Sequence, residues 1–274
     1  MKLPRPQPDT GPVKIAFITC YYGVERHVKM TESWYAGLLE SIEFAKEQHD
    51  NIICDVFVLN NGSSRHADLS DCFWHYHAEE NLGFSNGMGA GITAAHEAGY
   101  DWYCILNNDL IFEQKDWFSV LVGYVKKGKG KGRQTYLPLT TGTNRQAFRS
   151  EGPLPDHPKS LDFGPCPAVC WFMPAHQVDF LFDHYGIPVF HPDFKIGWYE
   201  DALTEKMLWA HYKNPFLIIY QSWVYHRTSA TSNDAELFGP NFGYRDENQG
   251  IYLVLMKEYG LHETNMVNKD PFYL

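Results

Sequence analysis

Three apolar, strand-length runs in this chain each stop abruptly in a polar cluster, and helix-length stretches separate them. Val13–Cys20 (VKIAFITC), Ile53–Leu59 and Trp102–Leu106 are the runs; Thr19–Tyr22, Asn60-Asn61-Gly62-Ser63-Ser64 and Asn107-Asn108-Asp109 are the clusters. Between the first two, Met30, Trp34, Leu38, Ile42 and Ala45 recur at helical spacing within Val28–Gln48. Between the second and third, Phe73–His77 has the length of a short strand. Ser85 is placed to cap a helix that runs to Ala98 and stops at Gly99. Apolar strands alternating with helices predict a mostly parallel central sheet with helices on its faces, an α/β architecture. Ligands of such sheets bind beyond the carboxyl ends of the strands. The three polar clusters are therefore expected to converge on one crevice.

After Arg133 the pattern loosens. Residues 134–165 hold five prolines and few periodic apolar positions, so they read as a long loop region. Beyond it, Cys166–Met173 reads as a strand, Tyr199–His211 as a helix, Phe216–Tyr220 as a strand and Glu247–Tyr259 as a helix. The 274 residues suit one large domain or two small ones. With no repeat and no clean linker, the reading is an extended proline-bearing tail, 1–12, and a single domain, 13–274. That domain has a nucleotide-binding half, 13–133, and a more variable half, 134–274.

Charge and cysteine usage narrow the class. With 44% hydrophobic and 20% charged residues, a sizeable core is expected and wholesale disorder is excluded. A net charge of −10 makes the surface as a whole repel nucleic acid and anionic membranes. Lys126, Lys127, Lys129, Lys131 and Arg133 nevertheless share an acid-free stretch, so any polyanion contact would be local. The densest apolar runs, Phe216–Tyr220 and Ile251–Met256, fall far short of the roughly 18–20 residues of a membrane span. Prolines stand where a secretory signal would have its apolar stretch, and the expectation is a soluble, cytoplasmic protein. Cys20, Cys54, Cys72 and Cys104 sit in or beside strand-like runs, where a free cysteine acts as a small hydrophobe. Cys166 and Cys170 lack a second Cys/His pair at a zinc-site spacing.

The segment Asn81–Asp109, NLGFSNGMGAGITAAHEAGYDWYCILNND, carries most of the chemistry. A glycine-rich stretch opens a helix, whose N-terminal N–H groups and dipole could face an anion. The following strand delivers a carboxylate to the sheet edge. No Gly-Lys-Ser/Thr follows the glycines, which excludes a phosphate-loop ATPase, and their spacing is wrong for a dinucleotide fingerprint.

Taken in order and spacing, these pieces resemble the nucleotide-sugar glycosyltransferases of family 2, particularly the rhamnosyltransferase-like branch with a GT-A fold. That family has a strand ending in Val-Asp-Asn-Gly-Ser-Ser, against Val58-Leu59-Asn60-Asn61-Gly62-Ser63-Ser64 here. It continues with Asn-x-Gly-Phe, further glycines and Leu-Asn-Pro-Asp. This chain has Asn81-Leu82-Gly83-Phe84, then Gly87, Gly89 and Gly91, then Leu106-Asn107-Asn108-Asp109. A Glu-Asp element at a helix start is matched by Tyr199-Glu200-Asp201-Ala202-Leu203, and a late histidine after a strand by Val224-Tyr225-His226. The likeness spans roughly residues 13–230, tight in the first half and loose in the second.

The resemblance implies an inverting, metal-dependent transferase that moves a sugar from a nucleotide-sugar donor, most simply a UDP-sugar, to an acceptor hydroxyl. Asp109, joined by His226, would hold Mn²⁺ or Mg²⁺ against the donor diphosphate. Asp201 would take the acceptor proton, with Glu200 its competitor for that role. Donor contacts are expected from Thr19, Cys20, Tyr21, Asn60, Asn81, Gly83, Phe84, Asn86, Asn107 and Asn108. Asn60 stands where the family usually has an aspartate. Trp198 and the basic residues Lys129 and Lys131 are expected on the acceptor side. The acceptor is a glycan, a lipid-linked glycan or, through the Lys126–Arg133 stretch, a hydroxymethylated DNA base. A catalytically inactive sugar-nucleotide-binding relative is the alternative. A sugar-1-phosphate nucleotidyltransferase would need a basic glycine-rich loop after the first strand, which Thr19-Cys20-Tyr21-Tyr22-Gly23 does not supply.

Overall fold

A computed structural model describes residues 11–127, 134–141, 159–160, 167–195, 197–227 and 244–261. In chain order the elements are β1 (Val13–Tyr21), α1 (Glu25–Gln48), β2 (Ile52–Asn60), β3 (Trp74–His77), α2 (Gly83–Glu97), β4 (Trp102–Leu106) and β5 (Leu110–Ile111). There follow α3 (Trp117–Lys126), β6 (Thr135–Thr141), β7 (Lys159–Ser160), β8 (Cys170–Pro174), α4 (Ala175–Phe180), α5 (Glu200–His211), β9 (Phe216–His226) and α6 (Tyr244–Glu258).

The strands form one sheet in the order β3-β2-β1-β4-β8-β6-β9-β5, with β7 beside β9. β3, β2, β1 and β4 pair in parallel. β8 is antiparallel to both β4 and β6, and β6 is parallel to β9. Every long strand but β8 therefore points the same way, and the carboxyl ends of β2, β4 and β9 share one edge. Among the described residues no helix is long and apolar enough to cross a membrane.

Alternation along β1 shows why its run is apolar throughout. Ile15 and Phe17 pack into one core with α1 and α3 residues such as Leu38, Ile42, Phe118 and Leu121. Ala16 and Ile18 pack into a second core with Met88 and Ile92 of α2, Leu203 and Met207 of α5, and Leu255 of α6. A strand buried on both faces has no polar side to show.

Several expectations need correction. Residues 134–165 are not all loop, because Thr135–Thr141 is an inner strand between β8 and β9. Pro138 within it sits where the β6–β9 register shifts, a place where a proline without an N–H is tolerated. Ser85 does not cap α2. The helix begins at Gly83, and Ser85 is buried in its first turn. Gly99 does end that helix's last turn, at φ +70°. Phe216–Tyr220 extends to His226, which carries β9 to the sheet edge.

Candidate active site

The chain leaves β4 at Asn107 and reverses. Leu110 and Ile111 then pair antiparallel with His226 and Tyr225 at the end of β9. The Arg227 N–H donates to the Asp109 carbonyl at 3.1 Å, locking the reversal. This two-residue ladder sets Asp109 Oδ1 3.0 Å from His226 Nε2, with only 6% and 7% of the two side chains exposed. Asn107 Nδ2 lies 3.4 Å from the same His226 nitrogen. Asn107 Oδ1 is buried without a hydrogen-bond partner among the described residues.

A divalent cation of the Mg²⁺ or Mn²⁺ type fits this donor set. One carboxylate and one imidazole lie 3.0 Å apart, and an orphaned amide oxygen belongs to the same turn. No cluster of three or more His, Cys, Asp or Glu groups that could hold a metal occurs among the described residues. Substrate oxygens and water would have to complete the shell, as is usual for these ions at phosphate sites. The imidazole favours Mn²⁺ over Mg²⁺, which is the more exacting about oxygen ligands.

Asparagines build the floor beside it. Asn60, fully buried, accepts the Ser63 N–H on Oδ1 at 2.8 Å and donates to the Arg65 carbonyl at 3.1 Å, which shapes the turn after β2. Asn61 donates to Asn81 Oδ1 and the Gly83 carbonyl at 3.1 and 3.0 Å, and accepts the Leu82 N–H at 2.9 Å. Asn81 Oδ1 takes the Gly83 N–H at 2.9 Å. Two amides at the start of α2 are thus held by asparagine oxygens. Gly62 has φ +84°, and a Cβ there would lie 2.5 Å from the Glu80 carbonyl carbon. The later glycines allow close packing of α2 on β1 and on the turn after β2. A Cβ at Gly87 would lie 3.0 Å from Asn61 Nδ2 and 3.2 Å from Cys20 Sγ, and one at Gly91 would lie 2.8 Å from Ile18 Cγ2.

Other expected donor residues are also occupied structurally. Thr19 Oγ1 donates to the Leu106 carbonyl at 2.7 Å, tying β1 to β4. The Tyr21 hydroxyl accepts the Ala67 N–H at 2.9 Å. Asn108 turns away to donate to Thr31 Oγ1 on α1 at 3.0 Å. Asn86 donates to the Pro192 carbonyl at 3.0 Å and ties α2 to the loop before α5. Burial pushes the Cys20 thiol up to about 12, so it is no nucleophile at neutral pH.

The carboxylate pair faces the same edge. The Ala168 N–H donates to Asp201 Oδ2 at 3.2 Å, while the next residue, Val169, accepts the Asn107 N–H at 3.0 Å. One short segment therefore links Asp201 to the Asp109 turn. Glu200 is buried, and its Oε2 has no hydrogen-bond partner among the described residues. A Cβ at Gly197 would be 4.0 Å from both Glu200 Oε1 and Phe84 Cβ, so the residue just before the carboxylates lies between α5 and the start of α2. Burial pushes the Glu200 carboxyl well above the ordinary carboxylate range, and the Asp201 charge adds to it. Burial also raises Asp201, opposed by N–H donation from Ala168 and Ala202.

The backbone entering this pair is strained. Trp198 and Tyr199 have φ of +85° and +71°, a region that bulky residues avoid at about 1–3 kcal/mol each. Arg245 of α6 stands 5.9 Å from the Trp198 ring. Asn248 of α6 is fully buried and donates to the carbonyls of Lys195, Gly197 and Trp198 at 2.8, 2.6 and 3.3 Å. Asn61 and Ser63 were read only as members of the Asn60–Ser64 cluster, and Asn248 was not foreseen from sequence. Asn61 stood inside a recognised motif, whereas a lone asparagine within a helix gives no signal. Lys129, Lys131 and the rest of 128–133 lie outside the described residues, as does Cys166.

This sheet order, with a glycine-rich helix against β1 and an Asp-bearing turn after β4, defines a GT-A-like α/β fold. No protein-family model matches the chain, and no curated protein matches it in sequence. Solved structures match it in shape. Glucosyl-3-phosphoglycerate synthase from Mycobacterium tuberculosis, in complex with Mn²⁺, UDP-glucose and phosphoglyceric acid, aligns with a TM-score of 0.54 and 12% identity, over 92% of this chain and 82% of that one. The same synthase with Mg²⁺ and UDP gives a TM-score of 0.55 and 12% identity over 92% and 81%. S. aureus TarS, residues 1–349, gives 0.53 and 14% over 94% and 76%. At these identities the likeness establishes the fold.

Proposed function

We propose that the protein is a metal-dependent glycosyltransferase that moves a sugar from a UDP-sugar to an acceptor hydroxyl, with inversion at the anomeric carbon. The observation that carries this reading is the Asp109–His226 pair at 3.0 Å on the same strand edge as the Glu200–Asp201 carboxylates. Solved proteins of this shape were captured with UDP-glucose or UDP and with Mn²⁺ or Mg²⁺, which supports the donor class and the ion.

Asp109 and His226 would hold the cation. When bound, the ion supplies positive charge for the diphosphate that leaves the sugar. Asp201 accepts the proton of the acceptor hydroxyl as that oxygen bonds to the anomeric carbon and the bond to the diphosphate oxygen breaks on the opposite face. Burial raises this carboxyl above its ordinary value, which makes it a stronger proton acceptor than an exposed aspartate. Glu200, raised further, stays protonated longer and keeps a second negative charge away from the donor. Asn60 and Asn61 hold the turn on which the nucleoside rests.

A polysaccharide or lipid-linked glycan is the acceptor this reading favours. Transfer to a modified DNA base leans on the Lys126–Arg133 stretch, most of which lies outside the described residues. The test is release of nucleoside diphosphate from a panel of sugar nucleotides with Mn²⁺. Release from one donor, lost on chelation and in Asp109→Ala, supports the transferase. Donor binding without release, with every acceptor class present, means a binding protein instead.

A further inference from the structure

The stretch that leads from α4 into α5, described over Ile187–Lys195 and Gly197–Tyr199, holds three non-glycine residues in the left-handed region, Val189, Trp198 and Tyr199. Two asparagines from different helices hold it. Asn86 of α2 donates to the Pro192 carbonyl, and Asn248 of α6 takes up the stretch just before the carboxylates. The Asn248 amide spends its donors on three successive described carbonyls, Lys195, Gly197 and Trp198. Its oxygen accepts the Lys195 N–H at 3.1 Å. A side chain that is fully buried and bound only to backbone has no surface role, and its whole hydrogen-bonding capacity defines one turn.

We propose that Asn248 is a positioning residue for the reaction: through the Lys195–Trp198 carbonyls it fixes the left-handed Trp198–Tyr199 step, and thereby the direction in which Glu200 and Asp201 enter α5. Without that grip the two aromatic residues relax toward ordinary φ, and the first turn of α5 rotates away from Ala168. Tyr252, one helical turn beyond Asn248 on α6, packs its ring 5.5 Å from that of Tyr199 and holds the same step from the side. The role is argued on the transferase reading given above, but the geometry of the turn is measurable without it.

Asn248→Asp keeps the shape and removes both donors, and Asn248→Ala removes the group entirely. For each, steady-state release of nucleoside diphosphate with Mn²⁺ is measured together with amide hydrogen exchange of the ligand-free protein. The expected result is a kcat at least tenfold lower, a donor KM within twofold of the parent, and faster exchange confined to residues 197–203. Unchanged kcat, or exchange that quickens equally through β1, β2 and β4, overturns the proposal. A parent protein that neither binds nor turns over sugar nucleotides would sink the transferase reading alone. The exchange pattern would still decide whether Asn248 sets the turn.

Discussion

Asp109 and His226 are brought together by a backbone ladder, not by their own attraction. Leu110 pairs with His226, the Arg227 N–H binds the Asp109 carbonyl, and the carboxylate is left 3.0 Å from the imidazole in a nearly closed site. Either side chain can therefore be changed without unmaking the turn.

Asp109→Asn is expected to weaken Mn²⁺-dependent UDP binding at least tenfold and to lower turnover by about 10² or more, as when charge at a transition-state site is lost. Calorimetric titration of UDP with and without Mn²⁺ checks the first, and diphosphate release the second. Equal UDP affinity with and without the ion in the parent protein would refute the assignment.

Asp201→Asn should leave donor affinity intact while lowering kcat by about 10²–10⁴, the usual contribution of a general base. Its carboxylate accepts two backbone amides, so the asparagine amide group would face an N–H. The stability loss is expected at about 1–2 kcal/mol. Parallel fall of kcat and donor affinity would point to a structural role.

Glu200 makes stability depend on pH. Its folded pKa is raised by burial and by Asp201, so the native state holds this proton more tightly than the unfolded chain does. The stability it contributes is full below the ordinary carboxylate pKa and is lost as pH rises through the folded value. Glu200→Gln, which cannot ionise, should thus gain Tm relative to the parent as pH is raised from 5 to 8. A Tm difference that is flat across that range would contradict the buried, shifted carboxyl.

Gly62→Ala forces φ +84° on a residue with a Cβ and drives that carbon to 2.5 Å from the Glu80 carbonyl carbon. Backbone cannot yield as a flexible side chain can, and a loss of about 2–3 kcal/mol is expected in urea unfolding. A change below about 0.5 kcal/mol would mean that the turn after β2 tolerates rearrangement.

How far the sequence could be read varied with the range of the forces involved. β4 was predicted to the residue, and β1 and β2 within one, because a strand covered on both faces must be apolar along its length. The helix end at Gly99 was equally plain, since its positive φ is a local demand. β6 was hidden by Pro138, which signals a loop unless a register shift accommodates it. β5 was invisible: two residues carry no periodicity, and Leu110–Ile111 is a strand only because β9 arrives beside it.

The same division runs through the site. The chain by itself set the α/β class and the strand-end clusters. It also supplied the residues Asp109, Glu200, Asp201 and His226, since order, spacing and residue type are written in one dimension. Which of the clustered polar groups are tied into the fold was decided in three dimensions. Thr19, Asn60 and Asn108 were expected at the donor, and each bonds through its side chain to a neighbouring strand, turn or helix. Asn248 reaches the turn before Glu200 and Asp201 only because α6 packs beside α5. Hydrogen bonds between groups far apart in the chain are fixed by packing, and packing is the one thing local sequence does not carry.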